Sequence, residues 1–197
     1  MVKDIFIFRH GQTDNNLNQI CQGYKTDAPL NETGISQADT LGRQLAANVK
    51  LEVIYASPLQ RAYQTAVIVK SYYPDIVIRP LPELHEGSFG DAEGQKINVI
   101  EKLYPGLWKQ IISPTKDTWS LKFPGDPSES KQEIFCRVLR GLQKLASIPE
   151  KNIGICSHAG VISALACGLE LKNVQYHNCS ILHLCYDTTA AKIFQPE

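Results

Sequence analysis

Two histidines and two arginines stand where the character of the chain changes abruptly. The apolar run Ile5-Phe6-Ile7-Phe8 ends in Arg9-His10-Gly11, and Asn152-Ile153-Gly154-Ile155-Cys156 ends in Ser157-His158-Ala159-Gly160. Arg61 lies in Ser57-Pro58-Leu59-Gln60-Arg61-Ala62. A guanidinium is a planar fork of donors matched to oxyanions. An imidazole can act as nucleophile, acid or base near neutral pH. Each residue alone reads as a solvated side chain. Three such placements on independent strand ends or helix starts point to one anion pocket, most simply a phosphate pocket.

The elements that must position these groups follow from the apolar pattern. Short apolar runs closed by glycine or serine read as buried parallel strands. In open α/β sheets, ligands bind just beyond the carboxyl ends of such strands. Strands are expected at about 5–8, 53–56, 76–78 and 152–156, with a terminal hairpin over 179–186 and 191–194. Helical periodicity is expected at 34–48, entered through Asn31-Glu32-Thr33-Gly34, and at 128–145, where Ile134, Val138, Leu142 and Leu145 share a face. A helix opening near Pro58, with Ser57 as its cap, reaches to about 72, and a small-residue helix spans 161–168. Helix N-termini at the same rim add N–H donors and a positive dipole end. This order predicts an α/β three-layer sandwich, a mostly parallel sheet flanked by helices on both faces. The stretch 80–127 is rich in Pro, Gly and Trp and irregularly patterned. It reads as a lid-like insertion with one or two short helices, within a single domain spanning 1–197.

The blocks themselves carry a resemblance. Arg9-His10-Gly11-x-Thr13 with Asn16, then Gln22-Gly23, then Pro29-Leu30-x-x-x-Gly34-x-x-Gln37-Ala38 form the first. Ser57-Pro58-Leu59-x-Arg61-Ala62-x-Gln64-Thr65-Ala66 is the second, Leu81-x-Glu83-x-x-x-Gly87 the third and Ser157-His158-Ala159-Gly160 the fourth. Together, over nearly the whole chain, they resemble the histidine phosphatase superfamily, the phosphoglycerate-mutase-like group. The resemblance implies His10 as phosphoryl acceptor and Arg9, Arg61 and His158 as ligands of the phosphoryl oxygens. Asn16, Gln22, Gly23 and Ala159 would contribute further substrate contacts, and Glu83 would protonate the leaving oxygen. Glu86 is the alternative acid. The spacing to Gly87 favours Glu83 and leaves Glu86 and His85 as solvated loop residues. The third block departs from the usual Gly-x-Trp-Glu-Gly. It continues Gly87-Ser88-Phe89-Gly90-Asp91, with Glu93-Gly94 three residues on.

The chemistry agrees with that implication. A phosphomonoester needs charge neutralised on its oxygens, an in-line nucleophile and a protonated leaving group. Arginines, an imidazole and a carboxylic acid supply the three. His10 must attack as neutral imidazole, and neighbouring cations help to keep it so. No metal or other cofactor is implied: His177 and His183 form no recognisable ligand spacing, and H-E-x-x-H is absent. The expected function is phosphomonoester hydrolysis on small phosphorylated metabolites. A 2,3-bisphosphoglycerate-dependent mutase and a non-catalytic phosphate-binding module are the alternatives.

Composition bounds the rest. A formal net charge of +0 over 197 residues argues against a nucleic-acid or membrane-surface partner. The six cysteines lack zinc-type spacing and read as buried, reduced thiols. No stretch has the length of a signal peptide or a membrane span. Cytoplasmic residence is the default expectation, as a monomer or homodimer.

Overall fold

The structure, a computed structural model, describes residues 1–113 and 115–196. Six strands form one sheet: β1 (Val2–Arg9), β2 (Val53–Ala56), β3 (Ile78–Pro80), β4 (Asn152–Ser157), β5 (Ile181–Asp187) and β6 (Lys192–Phe194). Their spatial order is β3-β2-β4-β1-β5-β6. β3, β2, β4 and β1 run parallel, while β5 and β6 are antiparallel additions at one edge. The helices are α1 (Asp14–Leu17), α2 (Glu32–Asn48), α3 (Gln60–Lys70), α4 (Ile97–Leu103), α5 (Leu107–Ile112), α6 (Lys131–Lys144) and α7 (Ala159–Gly168).

The central strands are apolar where helices cover both faces. All four residues of β2 are buried. On one face Ile5, Ile7, Val53, Ile153 and Ile155 meet Ile134, Val138 and Leu142 of α6 and Val161, Ile162 and Leu165 of α7. On the other, Phe8, Ile54 and Cys156 meet Leu41 and Leu45 of α2 and Ala62, Ala66 and Val69 of α3. Burying one such aliphatic side chain stabilises the fold by about 1.5–3 kcal/mol. α6 is entered through a capping box, in which Ser130 accepts from Glu133 N and Glu133 accepts from Ser130 N. A cap of that kind is worth about 1 kcal/mol.

Three expectations need adjusting. The third strand lies at Ile78–Pro80 rather than 76–78. It is an edge strand paired only with β2, where a proline without an N–H is tolerated and Val77 stays exposed. Ser57 does not cap α3. Leu59 stands at its N-cap with no side-chain bond, and the Gln60 N–H goes to Asp27 Oδ2 instead. Among the cysteines, all unpaired, Cys136 is exposed rather than buried.

The segment 80–127 holds α4, α5 and 3-10 turns at Pro82–Leu84, Gly90–Ala92 and Lys116–Thr118. It has its own small core, in which Cys21, Ala92, Ile100, Ile111 and Phe123 pack with Trp108 and Leu121. The buried Lys131 ammonium at the start of α6 bonds Ser113 O and Thr118 Oγ1, tying this segment to the main body. Among the described residues, no helix is long and apolar enough to cross a membrane.

Candidate active site

Strand register brings the two histidines together. Arg9 and Ser157 are direct partners on the parallel strands β1 and β4, so His10 and His158 leave the sheet side by side. Their ring centroids are 5.2 Å apart and tilted by 58°. Both are buried, at 2% and 0% exposure. His10 Nδ1 lies 2.7 Å from Gly11 O. A carbonyl can only accept, so Nδ1 carries the proton and Nε2 keeps its lone pair. Arg61 Nε donates to that Nε2 at 3.3 Å. Burial first, then the Arg9 and Arg61 charges, hold the His10 imidazole well below the usual histidine range. His10 is therefore a neutral base with its lone pair aimed at a guanidinium.

Arg61 sits in the first turn of α3 and is completely buried. A buried cation needs partners. Its Nη1 meets Asp27 Oδ1 at 2.7 Å and its Nη2 donates to Gly23 O at 3.1 Å. Asp27 thus clamps the arginine and receives the N–H of Gln60 one residue before it. Arg9 donates Nη1 to Tyr176 O at 2.7 Å, while its buried Nε has no partner. His158 Nε2 pairs with Ser57 Oγ at 2.8 Å, and its buried Nδ1 also has none. Burial and the Arg61 charge hold His158 well below its usual range. Two unpartnered buried nitrogens beside two guanidiniums make a pocket suited to an anion.

The carboxylate that reaches this cluster is Glu86. It is 5% exposed and accepts from Gly87 N at 2.9 Å and Gly160 N at 3.1 Å. Gly160 is the second residue of α7, and a Cβ there would lie 2.3 Å from Glu86 Oε1. Only glycine allows that approach. Burial pushes the Glu86 carboxyl above the usual range, against the opposing pull of Arg61, the two N–H bonds and Arg9.

Glu83 is not brought into the site. Its carboxylate accepts from the Lys144 ammonium at the end of α6, and that bond lowers its pKa. The expectation that Glu86 is a solvated loop residue is corrected: it is buried, and Glu83 is the carboxylate that lies away from the histidines. The signal lay in the third block. Gly90-Asp91-Ala92-Glu93-Gly94 restores Gly-x-x-Glu-Gly, and Glu86 stands four residues before Gly90 just as Glu83 stands four before Gly87. Anchoring on the first glycine selects the carboxylate that pairs with Lys144 rather than the one buried against Gly160.

The remaining expected residues are placed as follows. Asn16 Oδ1 accepts from Thr13 N at 3.2 Å and from Asn178 Nδ2 at 3.3 Å, and Asn178 also donates to His10 O at 2.9 Å. Gln22 donates to Thr13 Oγ1 at 2.8 Å, so it props the loop after His10. Gly23 gives its carbonyl to Arg61. Ala159 opens α7 directly after His158. The loop after His10 is pressed on α2, where a Cβ on Gly34 would fall 2.0 Å from Gln12 O. Asp27, Ser57, Thr65 (accepting from Gly11 N at 3.0 Å) and Asn178 support the site without having been expected to. Their partners lie far away in sequence; Ser57 and Thr65 stand in the second block, whereas spacing carries no trace of Asp27 and Asn178.

Comparison with known proteins decides the family. The histidine phosphatase superfamily (branch 1) profile matches residues 5–195. The chain belongs to this superfamily. Within it, the chain is 32% identical to the uncharacterized phosphatase PhoE of Bacillus subtilis over 92% of this chain and 84% of that one. It is 26% identical to a metal-independent phosphoserine phosphatase of Arabidopsis thaliana over 83% and 67%. The fold matches a mycobacterial glucosyl-3-phosphoglycerate phosphatase solved with VO3, with a TM-score of 0.80 at 27% identity and 92% coverage of both chains. Membership makes this chain a phosphatase of the histidine phosphatase superfamily.

Proposed function

We propose that the protein hydrolyses small phosphorylated metabolites without a metal, through a phosphohistidine on His10. The observation that carries this reading is the convergence of a lone pair on His10 Nε2, the buried Arg61 guanidinium, the half-buried Arg9 guanidinium and the buried Glu86 carboxyl in one pocket. A phosphoryl group seated on Arg61 and Arg9 puts its phosphorus beside His10 Nε2. His158 Nδ1, the Arg9 Nε and the start of α7 are further groups for its oxygens. Arginine charge thus does the neutralising that a divalent ion does in other phosphoryl-transfer sites.

Nε2 attacks phosphorus, the bond to the leaving oxygen breaks, and that oxygen takes the proton of Glu86. The Glu86 carboxylate then removes a proton from water, which attacks the phosphohistidine and frees inorganic phosphate. One carboxyl thus serves as acid and then as base. Burial raises its pKa and so favours the acid form that the first step needs. The names of the phosphatases above support a small phosphomonoester as substrate, and six unpaired cysteines suit a reducing cytosol.

The test is phosphate release from a panel of phosphorylated metabolites and an aryl phosphate, with and without exhaustive chelation. Turnover that survives chelation supports the reading. Activity lost to chelator and restored by magnesium or zinc contradicts it. Movement of a phosphoryl group between positions of phosphoglycerate, in place of release, turns the assignment to a mutase.

A further inference from the structure

A second cluster of ligating side chains lies at the other end of β1. Asp4 and Phe6 project from one face of β1, and His183 and Cys185 project beside them from β5. Asp4 and Cys185 are direct antiparallel partners, and His183 pairs with Phe6. Asp4 Oδ1 accepts from His183 Nε2 at 2.8 Å and from Cys185 Sγ at 3.6 Å. One ligand atom from each of the three lies within 4.8 Å of the others. The Phe6 ring stacks on the imidazole with centroids 4.4 Å apart and planes 12° from parallel, which holds its orientation. The thiol is buried at the base, while the Asp4 and His183 side chains are 41% and 37% exposed. Solvent therefore reaches the cluster from one side.

An Asp–His contact on an open sheet face stabilises little, and nothing in that contact requires a thiol. The geometry points to a binding site for one zinc-class divalent cation, held by Cys185 Sγ, His183 Nε2 and an Asp4 carboxylate oxygen, with water as fourth ligand. A sulfur, a nitrogen and an oxygen donor select borderline-soft ions over magnesium or calcium. Zinc bonds of about 2.0–2.3 Å in a tetrahedron put ligand atoms roughly 3.3–3.6 Å apart. The thiol and carboxylate already stand at that separation. The Asp4–His183 hydrogen bond need open by only about half an ångström.

A free thiol is mostly protonated at neutral pH, and only the thiolate ligates a metal. Entry of the cation therefore expels the thiol proton to solvent, and the imidazole proton moves from Nε2 to Nδ1. Each bound ion releases one proton. Asp4 lies six residues before His10 along β1, roughly 20 Å away at about 3.3 Å per residue. The ion would staple β1 to β5 and take no part in phosphoryl transfer, so the proposal stands apart from the phosphatase reading. Spacing could not reveal the site, because Asp4 is joined to the His183-x-Cys185 pair only by strand pairing.

The test uses the full-length, metal-stripped protein titrated with cobalt(II) and read by absorption, with zinc as competitor and proton release measured in weak buffer. One equivalent should bind, give a sulfur-to-cobalt charge-transfer band with four-coordinate ligand-field bands, and release one proton. Zinc should abolish the bands. Cys185→Ser should remove the charge-transfer band. His183→Gln, at a half-exposed position that leaves the core intact, should weaken affinity at least about tenfold. Cys136→Ser, which replaces the exposed thiol, should bind as wild type. No saturable binding at micromolar metal, a charge-transfer band that survives Cys185→Ser, or affinity unchanged in His183→Gln would each overturn the proposal.

Discussion

The pocket has two walls made in different ways. The phosphoryl wall is built on backbone pairing. His10 and His158 follow partnered residues of adjacent parallel strands, and Arg61 follows from the start of a helix packed on the same sheet. The leaving-group wall is a loop with no strand beneath it. Arg137 of α6 donates Nη1 to Glu83 O at 2.7 Å and to His85 O at 3.0 Å, and its other nitrogens grip Glu129 at 2.9 and 3.0 Å. Glu129 Oε2 in turn accepts from Ser88 N at 3.1 Å. On that loop, two carboxylates three residues apart have opposite chemistry. Glu83 reaches out to Lys144 and is held ionised, whereas Glu86 turns inward and is held toward its acid form. Residue type alone does not make a general acid; burial does.

The comparison can be broken wall by wall. Removing the nucleophile from the phosphoryl wall has the largest expected effect. His10→Ala should lower turnover by about ten thousand-fold or more, measured as phosphate release under saturating substrate. On the other wall, Glu86→Gln should cost about a hundred- to ten-thousand-fold in steady state. Glu83→Gln should stay within about twofold of wild type, because it loses only a surface contact. Equal losses in both variants, or a larger loss in Glu83→Gln, would reverse the assignment.

Loosening the clamp rather than the acid sharpens the contrast. Arg137→Leu leaves Glu129 without its cation and frees the loop that carries Glu86, which should cost about 2–4 kcal/mol of stability. Turnover should drop, while inhibition by inorganic phosphate, which reads the other wall, should change little. A parallel loss of phosphate affinity would show that the two walls are not separable.

The smallest effect is the response of stability to pH. His10 and His158 are held neutral in the folded state, whereas unfolded imidazoles take protons below about pH 6.5. Below that pH the unfolded state binds more protons, so stability should fall as pH falls, by up to about 1.4 kcal/mol per unit for each histidine. Glu86 acts in the other sense. Its folded pKa is raised, so its contribution is present at low pH and is lost as pH rises through the folded value. Denaturant midpoints between pH 7 and 5 should fall on acidification, more steeply in Glu86→Gln and less steeply in His158→Gln. A flat profile in the wild-type protein would mean that the histidines are not held neutral.

The contrast between the walls is also the contrast in what could be read beforehand. Apolar runs such as Ile153–Cys156 and the helical stripe Ile134, Val138, Leu142 located the sheet and its cover, since burial on both faces leaves a mark in every residue. His10, His158 and Arg61 were legible because each sits where such an element ends. Glu86 was legible only through the second glycine of the third block, because a loop has no period and its place depends on Arg137 and on the missing Cβ of Gly160. Asp27 and Asn178 escaped for the same reason. Each contacts its catalytic partner across more than thirty residues of chain, through a single hydrogen-bonding group.

The most direct measurement joins both walls in one experiment. A nitrophenolate leaves almost unaided, so Glu86→Gln should still form the phosphoenzyme from nitrophenyl phosphate but lack the base that delivers water. Glu86→Gln quenched in alkali during turnover, and mapped by peptide mass spectrometry at alkaline pH, should carry a base-stable, acid-labile phosphoryl group on His10. It should approach one per chain and follow a rapid burst of nitrophenolate. Turnover without any phosphohistidine, or a phosphoryl group on His158 or another residue, would contradict the account.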